Sequence, residues 1–331
     1  MRIIIATGIY PPEVGGPALY AKGVRESLEK TGHDAPVVLF SSLKNYPSGV
    51  RHVLYVFKLM RAAWGASAIF AFDTYSAGVP TAFVGMLLRK PVVIRIGGDF
   101  VWESYIERTH DLVPLPKFYR APRALSRKER MAKKLVAWML RHGELAFNTP
   151  WLARIWTEPY GLDESRIHTV ENVIGPRLER SKETNRSVIL YGRQMALKNA
   201  SAFRTAFEKV RAEGIDLELK EGIVPHAELM ELTRSCYAVA LPSISDVAPN
   251  TIIDALRCGV PFIITKNSGY AEKYKNMGIV IDPLDEADMI RGIKALADPA
   301  TYERLRANIA AYTTVRTYDD VAHDMLAIIQ K

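Results

Sequence analysis

The feature that most constrains this chain is the alternation of short apolar runs with longer stretches of helical periodicity, begun near the N-terminus and restarted past the middle. Apolar runs at 2–6, 35–40, 68–72 and 91–96 are interleaved with helical patterns at 18–30, 52–64 and 77–88. Strands of four to six residues without polar alternation are buried on both faces, and helices of ten or more residues between them require right-handed crossovers. The first half therefore reads as a doubly wound α/β domain with a parallel sheet. After residue 187 the pattern returns, with strands at 187–191, 217–219, 238–241, 261–265 and 278–281 and helices at 201–213, 226–235, 251–257 and 287–296. A length of 331 residues accommodates two such domains.

Between the two patterns, residues 104–126 carry Pro114, Pro116 and Pro122 among mixed charges and aromatics and read as a long loop. A basic helix over 126–141, a strand at 144–148, a helix opening at Thr149-Pro150 and a strand at 167–170 complete the first domain. The stretch 172–187 has Gly175-Pro176 followed by Arg177, Glu179, Arg180, Lys182, Glu183 and Arg186, with little to bury, and reads as an interdomain linker. The expected division is 1–175, 176–310, and a C-terminal helix within 311–331 that packs back toward the first domain.

Forty-four Lys and Arg against 36 Asp and Glu give a net charge of +8, which favours anionic partners. Much of the excess lies in Lys117, Arg120, Arg123, Arg127, Lys128, Arg130, Lys133 and Lys134, with Glu129 the only opposing charge there. Interleaved with Leu125, Met131, Leu135, Trp138, Met139 and Leu140, the stretch 117–141 suits two readings: an anionic membrane surface, or a helix that packs its apolar face and solvates its basic one. No basic-aromatic interleaving on strands marks a nucleic-acid module. No run approaches the roughly 18 apolar residues of a membrane-spanning helix. The apolar start at 3–5 is too short for a secretory leader and reads as a buried strand. Cys236 and Cys258 lack metal or redox spacing and read as buried small hydrophobes in a reducing cytoplasm, and the seven histidines show no metal-binding spacing.

Three motifs carry chemistry. Gly15-Gly16 precede a helix after the first strand; they suit either backbone contact with an anion or a simple turn, and the G-x-G-x-x-G dinucleotide fingerprint is absent. Gly192-Arg193 ends the first strand of the second domain and Lys198 follows five residues later. A planar fork and a point charge at that strand end suit a diphosphate, with solvated surface charge as the alternative. The segment 241–261 places Asp246 in a post-strand loop, Asn250 as a helix N-cap beside Thr251, and Asp254 inside the helix among Ile252, Ile253, Ala255 and Leu256. Helix-end N–H groups there suit phosphate, and the Asp254 carboxylate suits the paired hydroxyls of a ribose.

Taken together, Gly15-Gly16, Gly192-Arg193 with Lys198, the acidic pair ahead of Ala255-Leu256-Arg257-Cys258-Gly259-Val260-Pro261, the segment from Tyr160-Gly161 to Asn172 and the loop 269–272 resemble the GT-B glycosyltransferases, in particular the retaining family 4 group. The resemblance spans nearly the whole chain. It implies two Rossmann-like domains facing a cleft, and metal-independent, cofactor-free transfer of a sugar with retention at the anomeric carbon. The donor implied is a nucleoside diphosphate sugar (UDP-, GDP- or ADP-linked), and the acceptor a glycan or a lipid-linked molecule at the inner membrane face. In that reading Arg193 and Lys198 bind the diphosphate, N–H groups around Asn250 and Thr251 assist, Asp254 holds the ribose, Gly15 and Gly16 touch the phosphates, and Asp246 contacts the transferred sugar.

The chain departs from the family pattern in three places. Asp246 and Asp254 stand where the family has glutamates. The strand end 92–99 offers Asp99 where the family has a histidine facing the sugar. The region 217–229 is short for the family's extra strand. Two rival readings follow: a nucleotide-sugar epimerase of the same fold, and a degenerate member that binds nucleotide sugar or a partner enzyme without turnover.

Overall fold

In the computed structural model, which describes residues 1–13, 15–181 and 186–330, the strands lie in two parallel sheets. The first holds β1 (Ile3–Thr7), β2 (Val37–Leu39), β3 (Ala68–Ala71), β4 (Val92–Ile96), β5 (Glu144–Phe147) and β6 (Ile167–Thr169) in the order β2-β1-β3-β4-β5-β6. The second holds β7 (Ser187–Tyr191), β8 (Glu218–Gly222), β9 (Ala238–Leu241), β10 (Phe262–Thr265) and β11 (Gly278–Ile281) in the order β11-β10-β9-β7-β8. Chain contacts divide the molecule into a first unit, Met1–Val101 with Ala124–Val173 and Arg316–Lys331, and a second unit, Trp102–Arg123 with Ile174–Val315.

The first unit carries α1 (Gly16–Lys30), α2 (Ser48–Ala63), α3 (Val79–Leu88), the start of α4 (Phe100–Thr109), α6 (Arg127–Met139), α7 (Pro150–Tyr160) and α13 (Tyr318–Ile329). Its strands are apolar on both faces because both faces are covered. Ile3, Ile5, Phe70 and Val93 pack with Val24 and Leu28 of α1 and with Val321 and Met325 of α13 in one core cluster. Ile4, Ile69 and Ile94, also fully buried, alternate to the opposite face, where α2 and α3 lie on the sheet and α6 lies on α3. Gly15 supplies the cap position of α1, and a Cβ there would meet the tip of the Ile9 side chain at 2.9 Å, which would have to shift.

The second unit carries α5 (Leu115–Phe118), α8 (Ala200–Ala212), α9 (His226–Ser235), α10 (Asn250–Arg257), α11 (Glu286–Ala297) and α12 (Pro299–Ala311). Its sheet lies between two apolar clusters, one joining Val239, Phe262 and Ile264 to Ile252, Ile253 and Leu256 of α10, the other joining Val188, Ala240 and Ile263 to Phe203 and Phe207 of α8 and Ile293 of α11. At the turn after α10, Gly259 adopts φ +70°, a backbone conformation that L side chains strain to reach. β8 runs into α9 through Ile223, Val224 and Pro225 alone.

The structure departs from the sequence expectations in several elements. The expected loop at 104–126 is helical over α4 and α5. Val101, Trp102, Tyr105 and Ile106 form a buried stripe, and the Trp102 indole donates to the Val113 carbonyl at 2.8 Å. That helix ends at Thr109, with His110 in the left-handed region at φ 55°, ahead of the first proline, and Pro116 sits in the first turn of α5, where a proline is tolerated. The expected linker is pinned to the second unit: Leu178 N–H donates to Arg257 O at 2.8 Å, Ser181 N–H to Arg234 O at 3.0 Å, and Arg180 reaches Cys236 O and the Tyr302 hydroxyl. Lys182 and Glu183 of that stretch lie outside the described residues. The basic stretch 117–141 is divided, 117–123 belonging to the second unit and 124–141 to the first. Within it Glu129 is buried and closes a capping box with Ser126 at the start of α6, so it is a helix cap and not a surface counter-charge.

Candidate functional site

In an open parallel sheet, ligands collect outside the carboxyl ends of the strands where the strand order reverses. In the second unit that point is β7, with β8 on one side and β9 on the other. The loops leaving β7 and β9 there flank a cavity of about 810 Å³, lined by Gly192, Arg193, Lys198, Pro242, Ser243 and Thr251 among others. The volume suits a drug-sized or nucleotide-sized molecule.

Two helices begin at this cavity. Asn199, in the left-handed region at φ 55°, occupies the cap position of α8; its amide donates to Pro283 O at 2.7 Å, and no side-chain cap is seen at that helix start among the described residues. Ala200 and Ser201, the first residues of α8, line the cavity. At α10 the cap position falls on Pro249, and Asn250, expected to be the cap, is the first helical residue; Thr251 follows it into the lining. Each helix start carries partial positive charge and N–H donors with no intrahelical acceptor.

Lys198 and Asp246 meet directly, Nζ to Oδ2 at 2.8 Å, both side chains partly buried. Three loops hold that pair in place. Ile244 N–H donates to Leu197 O at 2.8 Å, Asp246 N–H to Asn267 O at 3.1 Å, and Gly269 N–H lies 3.3 Å from Asp246 O and 3.1 Å from Val247 O. The loop after β10, part of the stretch that carries the family resemblance, thus secures the carboxylate's backbone. Arg193, by contrast, is exposed at the cavity edge.

Asp254 is 8% exposed on α10 and outside the lining of this cavity. Its Oδ2 lies 3.1 Å from His226 Nε2, and its Oδ1 3.5 Å from Arg257 Nη1. The hydrogen bond to Asp254 raises the His226 pKa above its ordinary 6.5. A raised pKa contributes stability fully below the unfolded value, and that contribution is lost as pH rises through the folded value. The melting temperature of the native chain relative to His226→Gln is therefore expected to be highest at about pH 5.5 and to fall toward about pH 8.5. Parallel melting curves at the two pH values check this, and a difference that grows with pH contradicts it. Beside this pair, burial pushes the Cys258 thiol up to about 11, so it stays protonated at neutral pH.

Asp99, Gly15 and Gly16 belong to the first unit. Asp99 is 1% exposed and accepts the Trp156 indole N–H at 2.8 Å. Gly15 O accepts from Ala18 and Leu19 N–H as α1 begins. Arg95, on β4, bonds Asn172 and places its guanidinium 3.5 Å from the centre of the Tyr20 ring.

Sequence reasoning missed several residues of the site. Glu107 of α4 lines the cavity with His110 and accepts the Leu197 N–H at 3.3 Å, steadying the turn that carries Lys198. The apolar spacing of Val101, Trp102, Tyr105 and Ile106 was a legible sign of that helix, but nothing local tied it to Leu197. Ser243 lines the cavity with its hydroxyl buried and, among the described residues, without a hydrogen-bond partner, a polar atom available to a ligand. Arg204 and Glu221 form a bidentate pair at the rim, at 2.6 and 3.1 Å. His226 carried no signal, because its partner lies 28 residues away.

Among the described residues no group of three or more His, Cys, Asp or Glu is disposed to hold a metal ion, and no helix is long and apolar enough to cross a membrane. No curated protein matches the chain significantly. Residues 221–312 match the family model described as glycosyl transferases group 1. Among solved structures, the chain is similar to sucrose-phosphate synthase from Thermosynechococcus elongatus, with 14% identity, TM-score 0.68, and coverage of 99% of this chain and 98% of that one. It is similar also to HepE from Anabaena in complex with UDP, with 15% identity, TM-score 0.68, and coverage of 99% and 100%. A third similarity is to a UDP-forming α,α-trehalose-phosphate synthase from Burkholderia vietnamiensis, with 10% identity, TM-score 0.67, and both chains covered in full. The chain thus has the GT-B fold, and its residues 221–312 match the glycosyl transferases group 1 model.

Proposed function

We propose that this protein transfers a sugar from a nucleoside diphosphate sugar to an acceptor, with retention at the anomeric carbon and without a metal ion. The observation that carries the reading is the convergence of Lys198, Arg193 and the N-termini of α8 and α10 on one cavity at the strand-order reversal of the second unit. That arrangement is built for a dianionic group. HepE, a solved structure similar to this chain, binds UDP, and the same nucleotide is the first candidate here.

In this reading Lys198 and Arg193 hold the diphosphate, and the helix-end N–H groups around Asn250 and Thr251 complete its cradle. Breaking the glycosidic bond leaves negative charge on the diphosphate, so these fixed groups stabilise the transition state more than the bound donor. They supply the compensation a divalent cation would otherwise give. The departing phosphate oxygen takes the acceptor hydroxyl's proton, and the new bond forms on the face the nucleotide leaves, so no side-chain base is needed. Asp246, held against Lys198, faces the sugar hydroxyls. Asp254, shared with His226 and Arg257, takes the ribose hydroxyls. The burial of Asp99 against Trp156 supports a role in positioning the turn after β4 and not in touching the reacting atoms. A lipid-linked acceptor at an anionic membrane face fits the basic character of residues 124–141 of the first unit.

Melting the protein with saturating UDP, GDP and ADP tests the donor site. A ligand at about a hundred times its dissociation constant adds about 2.7 kcal/mol. One nucleoside diphosphate is expected to raise the melting temperature, and the shift is expected to vanish in the Arg193→Ala, Lys198→Ala double variant. Absence of any shift overturns the reading. Release of free sugar without an acceptor identifies an epimerase instead, and binding without turnover a degenerate member.

A further inference from the structure

In the first unit, α3 is apolar all round: between Val79 and Leu88 it has no charged residue. A helix of that composition is ordinarily enclosed. Here Phe83, Met86 and Leu87, at helical spacing i, i+3 and i+4, are exposed, Leu87 at 53%. On the neighbouring α2, Val50, Val53, Phe57 and, just past its end, Trp64 form a second exposed stripe, Phe57 at 63% and Trp64 at 78%. On the other side α6 adds Met131, and its Trp138 ring meets Phe83 with centroids 6.5 Å apart. Three adjoining helices thus leave an apolar strip uncovered, where single exposed hydrophobics would call for no explanation.

Charge identifies what covers it. α2, α3 and α6 together contain eight basic residues, and their one carboxylate, Glu129, is the buried cap of α6. Nearly all of the chain's net +8 therefore sits on this layer. A nucleic acid meets the cations but leaves Phe57, Trp64 and Leu87 in water, and an acidic protein would have to match carboxylates to the cations and its own apolar side chains to a strip spread over three helices. A second copy related by a twofold axis covers the apolar strip but sets the same cations face to face. An anionic bilayer surface accepts both, its headgroups meeting the Lys and Arg and its acyl boundary taking the apolar side chains.

We infer that the α2, α3 and α6 layer of the first unit is a docking surface for an anionic lipid bilayer. The inference is independent of the donor site, since its failure leaves the nucleotide-dependent melting shift untouched. Co-sedimentation with phosphatidylcholine vesicles, with and without phosphatidylglycerol, tests it on the full chain. Partition onto the anionic vesicles is expected. The triple variant Phe57→Ser, Trp64→Ser, Leu87→Ser is expected to weaken it at least about tenfold, and Arg127→Ser, Arg130→Ser, Lys134→Ser about a hundredfold. All six side chains are exposed, so both variants keep the native melting temperature. Brominated lipid is expected to quench native tryptophan fluorescence more than that of Trp64→Phe. Partition that ignores the apolar triple variant overturns the proposal in favour of charge alone. No partition, with a concentration-dependent dimer lost in that variant, overturns it in favour of self-association, and no partition without a dimer also overturns it.

Discussion

Replacing Lys198 by alanine is expected to lower turnover of the donor by about 10²- to 10³-fold while changing the stability of the unliganded chain by about 1 kcal/mol or less. The kinetic loss is large because Lys198 is preorganised: its ammonium is held by Asp246 at 2.8 Å, and the turn that carries it is bound by Ile244 and Glu107. A charge already in place when the diphosphate departs costs no reorganisation at that moment. The stability change is small because the ion pair is partly solvated, and such pairs contribute little to folding. Arg193→Ala is expected to cost less, about tenfold, since an exposed guanidinium acts through water. Asp246→Asn separates the roles, because it leaves the lysine charge and the nucleotide melting shift in place while lowering turnover. Unaltered turnover and an unaltered shift in Lys198→Ala would falsify the diphosphate assignment.

Trp156→Ala is expected to destabilise the first unit by about 3–5 kcal/mol, the largest effect on folding expected from these substitutions. Trp156 is 1% exposed and packs edge-on against Phe147 and tilted against Tyr160. Its removal opens a cavity and also withdraws the indole N–H from the Asp99 carboxylate, which burial makes costly. Trp156→Phe keeps most of the volume and isolates the second contribution, expected at about 1–3 kcal/mol. Chemical denaturation of the two variants reads both numbers. Asp99→Asn preserves an acceptor for the indole and is expected to retain both stability and turnover. A selective fall in turnover in that variant returns Asp99 to the reacting atoms.

Much of the fold was legible because buried parallel strands and their crossover helices leave unmistakable periodicities. The strand β11 and the helix α9 occur where the spacing of apolar residues places them, over Gly278–Ile281 and His226–Ser235. Residues 104–126 were harder. Three prolines dominate that stretch at the level of local propensity, yet burial of Trp102, Tyr105 and Ile106 stabilises a helix just ahead of them. The contacts of the stretch 172–187 were hidden for a related reason. Arg180 and Arg186 look like solvated charge until the carbonyls and hydroxyls they bond are known. Glu129 likewise read as surface charge, although Ser126 three residues earlier was a legible capping signal.

For the candidate site the division is equally physical. Residue type and position after a strand singled out Arg193, Lys198, Asp246, Asn250, Thr251 and Asp254, because diphosphate chemistry calls for cations, helix ends and carboxylates and the chain order shows where loops leave strands. Which of them meet was decided by the tertiary structure. Lys198 joins Asp246 across 48 residues and Asp254 joins His226 across 28, distances in sequence over which no local pattern persists. The cavity itself exists because β7 lies between β8 and β9, a strand order set by the packing of whole sheets and not by any strand's own residues. Composition alone determined the net positive charge of the chain. Only the folded layer of α2, α3 and α6 showed where that charge sits beside an uncovered apolar strip, since exposure is a property of neighbours and not of residues.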